Sequence, residues 1–243
     1  MLQTQRTMNP EAIRIHEFVP ISGSEIGRVL IVPSGNVGPM DQGGFESELY
    51  ERLAGRLVSS GMITVRFDVE SDRPRGGVSI PARRANRTRR LSEILEHEAI
   101  AARSSPLILL GVSLGALSIV DVLRRPTSLN ICAAVLLGCV IEEPSVVMPP
   151  VERIDFLYGA RDLVGYCNSD GELSEVVGPD TYGPRSAQQL IVRPRTVVTT
   201  RIIEGVGHML ARPGAHAPDD DTLDVIVDLT KQSAFPPSAP AAQ

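Results

Sequence analysis

The sequence predicts an α/β protein, a three-layer sandwich in which a mostly parallel central sheet is flanked by helices, with no large lid domain. Three observations predict it. Short, continuous apolar runs such as Leu107-Ile108-Leu109-Leu110 recur, and strands covered on both faces read this way. Segments of helical periodicity lie between these runs, so strand and helix alternate along most of the length. The 243 residues, 42% hydrophobic and 22% charged with a net charge of -5, suit one soluble globular domain of the larger α/β kind.

Taken in order, residues 1–12 read as a flexible end. Residues 13–21 alternate loosely, Ser22-Gly23-Ser24 has turn composition and residues 28–32 are apolar, which predicts a hairpin. Residues 33–39 form a Gly- and Pro-rich loop. Phe45, Leu49, Leu53 and Leu57 then stand four apart on one helical face, and Gly61 closes that helix. A strand at 62–67, a helix within 83–103 and a strand at 107–110 follow. The next cycle places a helix at 115–125 and strands at 131–140, 154–158 and 196–203, with an irregular region at 164–195. The last helix is expected at 222–231, with Asp219, Asp220 and Asp221 at its amino end, where carboxylates suit the helix dipole. The domain is expected to span residues 13–232, before a disordered tail at 233–243.

Composition also narrows the function. No global basic field exists to attract nucleic acid. Neither a signal-peptide core nor an apolar run of membrane-spanning length, roughly 20 residues, appears. Cys132, Cys139 and Cys167 are odd in number and lack metal-ligand spacing, which disfavours a disulfide framework. A cytoplasmic location is expected, with no nucleic acid and no membrane as partner.

The chemistry concentrates in Gly111-Val112-Ser113-Leu114-Gly115. A serine hydroxyl is a weak nucleophile until a base takes its proton and a third group orients that base. The pentapeptide follows an apolar strand directly, and the helical pattern of Ala116, Leu117, Ile119 and Val120 begins at once. That strand-turn-helix setting is what a nucleophile elbow requires. Gly111 and Gly115 belong to it because a sharp turn leaves no room for neighbouring side chains.

With this elbow, the string Phe156-Leu157-Tyr158-Gly159-Ala160-Arg161-Asp162 and the later Gly205-Val206-Gly207-His208, the chain resembles the α/β-hydrolase family from about residue 13 to residue 231. The resemblance implies Ser113 as nucleophile, His208 as general base and then general acid, and Asp162 as the group that fixes the imidazole. It also implies two main-chain oxyanion donors, one at Leu114 and one at Asn36, although Ser34-Gly35 stands where relatives carry a His-Gly pair. Some relatives take the acid from the end of the preceding strand, so Glu142 and Glu143 are rivals to Asp162. Members that hydrolyse haloalkanes or epoxides carry aspartate at the position of Ser113.

Further readings stay open. The basic run from Arg83 to Arg90 reads first as a solvated helix face paired with Glu93, Glu96 and Glu98. A second reading makes it, with Arg73 and Arg75, an anion site for a carboxylated or carrier-bound substrate. The region 164–195, with Tyr166 and Tyr182, is expected either to cover part of the site or to be a surface excursion. No dinucleotide or phosphate-binding fingerprint and no metal cluster is present, so no cofactor is expected. The implied activity is hydrolysis of an ester or thioester of a small acyl substrate through an acyl-enzyme. The alternatives are an acyltransferase or cyclase of a biosynthetic pathway, and a protein that keeps the fold without chemistry.

Overall fold

The computed structural model describes residues 2–8, 13–21, 26–34, 45–67, 79–97, 105–167, 173–215 and 217–234. Eight strands form the central sheet in the order β1(Leu2–Met8), β2(Ile13–Val19), β4(Met62–Phe67), β3(Gly27–Val32), β5(Leu107–Val112), β6(Ile131–Leu137), β8(Arg153–Gly159), β12(Val197–Ile203). The first two neighbour pairs, β1 with β2 and β2 with β4, are antiparallel; from β4 to β12 every pair is parallel. Every residue of β3, β4, β5 and β6 is buried, as the unbroken apolar runs predicted for strands covered on both faces.

Two helices cover one face, α1(Phe45–Ser59) and α5(Asp220–Ala234); α2(Ile80–Glu96), α3(Leu114–Leu123) and α4(Pro179–Gln188) cover the other. Leu49, Leu53 and Leu57 of α1 are all fully buried, in one apolar cluster with Val29 and Ile31 of β3 and Ile108 and Leu110 of β5, as their spacing requires. The three-layer sandwich of the sequence reading is therefore present. Residues 138–152, which link β6 to β8, hold only the two-residue strand β7(Ser145–Val146), so no lid domain interrupts the fold there.

Three local expectations change. Residues 13–19 and 27–32 do not form a hairpin, because β4 lies between β2 and β3 and pairs with both. The turn composition of Ser22-Gly23-Ser24 is compatible with any reversal of direction, and strand partners are chosen by long-range burial. Residues 2–8, read as a flexible end, form β1, whose main chain is paired with β2 along its whole length. The region 164–195 is largely regular: β9(Val164–Cys167) and β10(Leu173–Val177) make an antiparallel pair, α4 follows, and β11(Leu190–Ile191) pairs with β7. Proline opens α4, where a missing N–H is harmless, which hides the helix from a reading that treats proline as a breaker.

This topology decides where chemistry can occur. The chain builds β3 and β4, then crosses to β5 on the other side of β3. The direction of winding therefore reverses between β3 and β5, and in open α/β sheets the crevice that takes a ligand lies at the carboxyl ends of the strands beside such a point.

Candidate active site

Ser113 stands at that crevice, between β5 and α3. Its backbone has φ 52 and ψ -116, a conformation that non-glycine residues rarely adopt. It is held there from both sides: its N–H donates to Leu137 O at 2.8 Å, and its carbonyl accepts from Leu117 N–H at 3.1 Å. The flanking glycines are explained by contact. A Cβ on Gly111 would lie 2.7 Å from the Ala116 backbone, and one on Gly115 would lie 2.3 Å from Val32 O and 2.5 Å from Pro33 O. Any side chain at either position would push the elbow off the end of β3 or off its own helix.

Asp162 and His208 arrive from the far half of the sheet. Asp162 follows β8, and the loop after β12 carries His208; these strands are neighbours, so their ends meet. Gly159 permits the approach, since a Cβ there would come within 2.4 Å of both Val206 O and Gly207 O. The two loops are tied together by Ala160 N–H to Ile203 O at 2.8 Å and Arg161 N–H to Val206 O at 2.9 Å.

His208 Nδ1 lies 3.0 Å from each carboxylate oxygen of Asp162, and Nε2 lies 2.9 Å from Ser113 Oγ. A carboxylate only accepts, so Nδ1 carries the proton and Nε2 is left to accept from the serine hydroxyl. Asp162 is 4% exposed, whereas the His208 side chain is 46% exposed. A charge is thus held inside, and the imidazole it orients reaches outward to where a substrate can arrive. The arrangement can move a proton from Ser113 to His208 while Asp162 balances the imidazolium.

A layer of supports lies beneath, and sequence reading missed most of it. Gly138, at φ 58, sits against the imidazole: a Cβ there would be 3.0 Å from His208 Cε1 and 3.4 Å from Asp162 Oδ2. Tyr182 of α4 is buried and donates its hydroxyl to Asp162 O at 2.9 Å. Its ring meets Tyr158 edge-on at 5.1 Å, and Tyr158 donates to Cys139 O at 2.6 Å, beside Gly138. Tyr182, which the sequence reading placed in a region that would either cover part of the site or be a surface excursion, instead holds the acid loop from below. The apolar spacing of Tyr158 with Phe156 was a signal for a buried ring, but nothing local pointed to its partner.

The other candidates separate cleanly. Leu114 is the first residue of α3, so its N–H has no carbonyl partner within the helix, the kind of donor an oxyanion hole draws on. Asn36, Arg73 and Arg75 lie outside the described residues. Glu142 and Glu143 are exposed and line a cavity of about 520 Å³ with Ile80, Leu117 and Val140. It is Asp162, not either glutamate, that bonds His208 Nδ1. The basic run is only partly a solvated face. Arg89 pairs with Glu93 at 2.7 Å and Arg84 with Asp121 at 2.6 Å, but Arg87 and Arg90 are buried. Burial pushes the Cys132 thiol up to about 11 and Cys139 up to about 12, so neither competes as a nucleophile. Among the described residues, no group of three or more His, Cys, Asp or Glu side chains is placed to hold a metal ion, and no helix is long and apolar enough to cross a membrane.

This sheet, with its elbow and its late acid and histidine loops, is the α/β-hydrolase fold. No protein-family model and no curated sequence matches the chain. Solved structures do. The dienelactone hydrolase of Anabaena variabilis superposes with a TM-score of 0.59 at 13% identity, over 95% of this chain and 96% of its own. A serine hydrolase without a lid from Xanthomonas campestris gives 0.58 at 14% identity, over 99% and 97%. The monoacylglycerol lipase of Paleococcus ferrophilus gives 0.57 at 15%, over 96% and 100%. The chain shares the fold of these proteins.

Proposed function

We propose that the protein is a serine hydrolase of carboxylic esters or thioesters that works through an acyl-enzyme. The observation that carries this reading is the unbroken path from Ser113 Oγ to His208 Nε2 and from Nδ1 to Asp162, built on a serine held at φ 52. Ser113 Oγ attacks the acyl carbon as its proton passes to His208. The carbonyl oxygen becomes an oxyanion that the N–H of Leu114 and, from the loop after β3, that of Asn36 stabilise. His208 then protonates the leaving alcohol or thiol, and Ser113 keeps the acyl group. Water, deprotonated by His208, attacks the ester so formed and releases the acid. The names of two structural neighbours, a dienelactone hydrolase and a monoacylglycerol lipase, agree with ester chemistry. The acyl substrate is a small molecule, free or on a carrier, and no cofactor is used.

A fluorophosphonate probe tests the nucleophile, and a panel of p-nitrophenyl esters and acyl thioesters tests turnover. Labelling at Ser113 is expected, with kcat lowered about 10⁶-fold in Ser113→Ala. A wild type that neither labels nor turns over any member of the panel would leave a fold without this chemistry.

A further inference from the structure

We infer that Arg87 and Tyr50 form a clamp that positions the oxyanion loop, so that two buried residues help set the height of the barrier. The inference rests on the proposed hydrolase reading. Pro33 and Ser34 are the residues through which the chain leaves β3 toward Asn36. Arg87, projecting from α2, donates through Nη1 to the carbonyls of both Pro33 and Ser34. From the opposite layer, Tyr50 of α1 accepts the Ser34 N–H at 2.8 Å. From below, Gly115 lets the elbow helix pack directly on Val32 O and Pro33 O. One dipeptide is therefore gripped by the helix layer on each face of the sheet and by the elbow itself.

The choice of residue is telling. Arg87 is 2% exposed and Tyr50 is 2% exposed, at positions where an aliphatic side chain would fill the space without desolvating a guanidinium or a hydroxyl. A buried arginine must be hydrogen-bonded, and this one gives its Nη1 to the main-chain carbonyls of Pro33 and Ser34. The planar guanidinium fixes the directions of its N–H groups and so holds both carbonyls in one geometry, whereas a lysine ammonium would reach them with freely rotating donors. Two donors act as an oxyanion hole only when both face the same point, about 3 Å away. The Leu114 N–H is fixed by the elbow; the donor after β3 belongs to a different segment and has to be aligned with it. Val32 and Pro33 are where the two segments touch, and the clamp holds the chain at and just after that point. Sequence reading placed Arg87 on a solvated helix face and so could not see it.

Neither residue touches substrate, so the clamp acts through alignment. In Arg87→Met, kcat is expected to fall about 10- to 100-fold with KM within about threefold of wild type. Affinity for a boronic acid inhibitor, which binds Ser113 as a tetrahedral anion, should fall by the same factor as kcat/KM. The pH midpoint of kcat/KM that reports His208 should stay in place. Arg87→Lys should recover part of the loss. Tyr50→Phe keeps the ring in the core and removes only the hydroxyl; a smaller loss of the same kind is expected, and this variant carries the test if the arginine variants fail to fold. Folded variants that keep wild-type kcat and boronate affinity would overturn the clamp while leaving the hydrolase reading intact. A wild type inactive on every ester would remove both.

Discussion

Two aspartates of the β8 segment are both buried and are used in opposite ways. Asp155, in the middle of β8, is fully buried and accepts from Arg153 Nε at 2.6 Å, from Ser233 Oγ at 2.9 Å and from Thr199 Oγ1. Its partners come from the same strand, from β12 and from α5. They are fixed, and they satisfy the carboxylate where it stands, so its work is to lock the last helix onto the sheet. Asp162, past the strand's end, gives both oxygens to one imidazole that is itself nearly half exposed. The lesson is that burial alone does not distinguish a structural carboxylate from a working one. What distinguishes them is whether the partner leads back into the core or out to solvent.

Exchanging each for its amide breaks the comparison most directly. Asp162→Asn should lower kcat about 10⁴-fold, because an amide can present its NH₂ to Nδ1 and stabilise the tautomer with the proton on the wrong nitrogen. Tm should barely move. Ester turnover by the purified variant checks this, and Glu142→Gln, assayed beside it, should stay within about twofold of wild type. A full loss in Glu142→Gln with activity kept in Asp162→Asn would exchange their roles. Asp155→Asn should do the reverse: it leaves Arg153 without its buried counter-charge and costs about 3 kcal/mol of stability. Urea melts read that cost, and kcat per folded molecule should be unchanged.

The same contrast explains which parts could be read from the sequence. The elbow was legible because its constraints are local: a strand, two glycines that contact dictates and a helix are contiguous. Asp162 and His208 were legible through their place in chain order, since each follows a strand that ends at the same edge. Asp155 was not, because its meaning depends on Ser233 and Thr199, and no local pattern announces a hydroxyl contributed by a distant helix. Arg87 and Arg90 failed for a related reason. On α2 they lie on the stripe that buries Leu91, Ile94 and Leu95, yet a charged residue reads as solvated unless its main-chain acceptors are known. The supposed hairpin of β2 and β3 failed because strand order is a long-range property, and β4 inserts between two segments whose local signals suit direct pairing.

A third aspartate sharpens the comparison from the exposed side. Asp219 precedes α5 and accepts the Thr222 N–H at 2.9 Å, the arrangement of a helix cap, while Arg212 Nε reaches it at 2.5 Å. Hydrogen bonds from Thr222, then from Arg212, hold its carboxyl below the ordinary 3.8, at about 2. The folded protein therefore releases this proton more readily than the unfolded chain does. The stabilisation is complete above the unfolded pKa, near 4, and is lost as pH falls toward 2. Asp219→Ala should lower Tm by about 2–4 °C at pH 7, the size expected for one lost cap, and the gap from wild type should narrow between pH 4 and pH 2. Because the cap to Thr222 outweighs the ion pair, Arg212→Gln should lower Tm by less than Asp219→Ala does, and added salt should change the Asp219 effect little. A gap that persists undiminished at pH 2 would mean that packing, not the ionised cap, holds the start of α5. Of the three aspartates, this one would then differ from Asp155 only in exposure, and the rule that partners matter more than burial would fail at the surface.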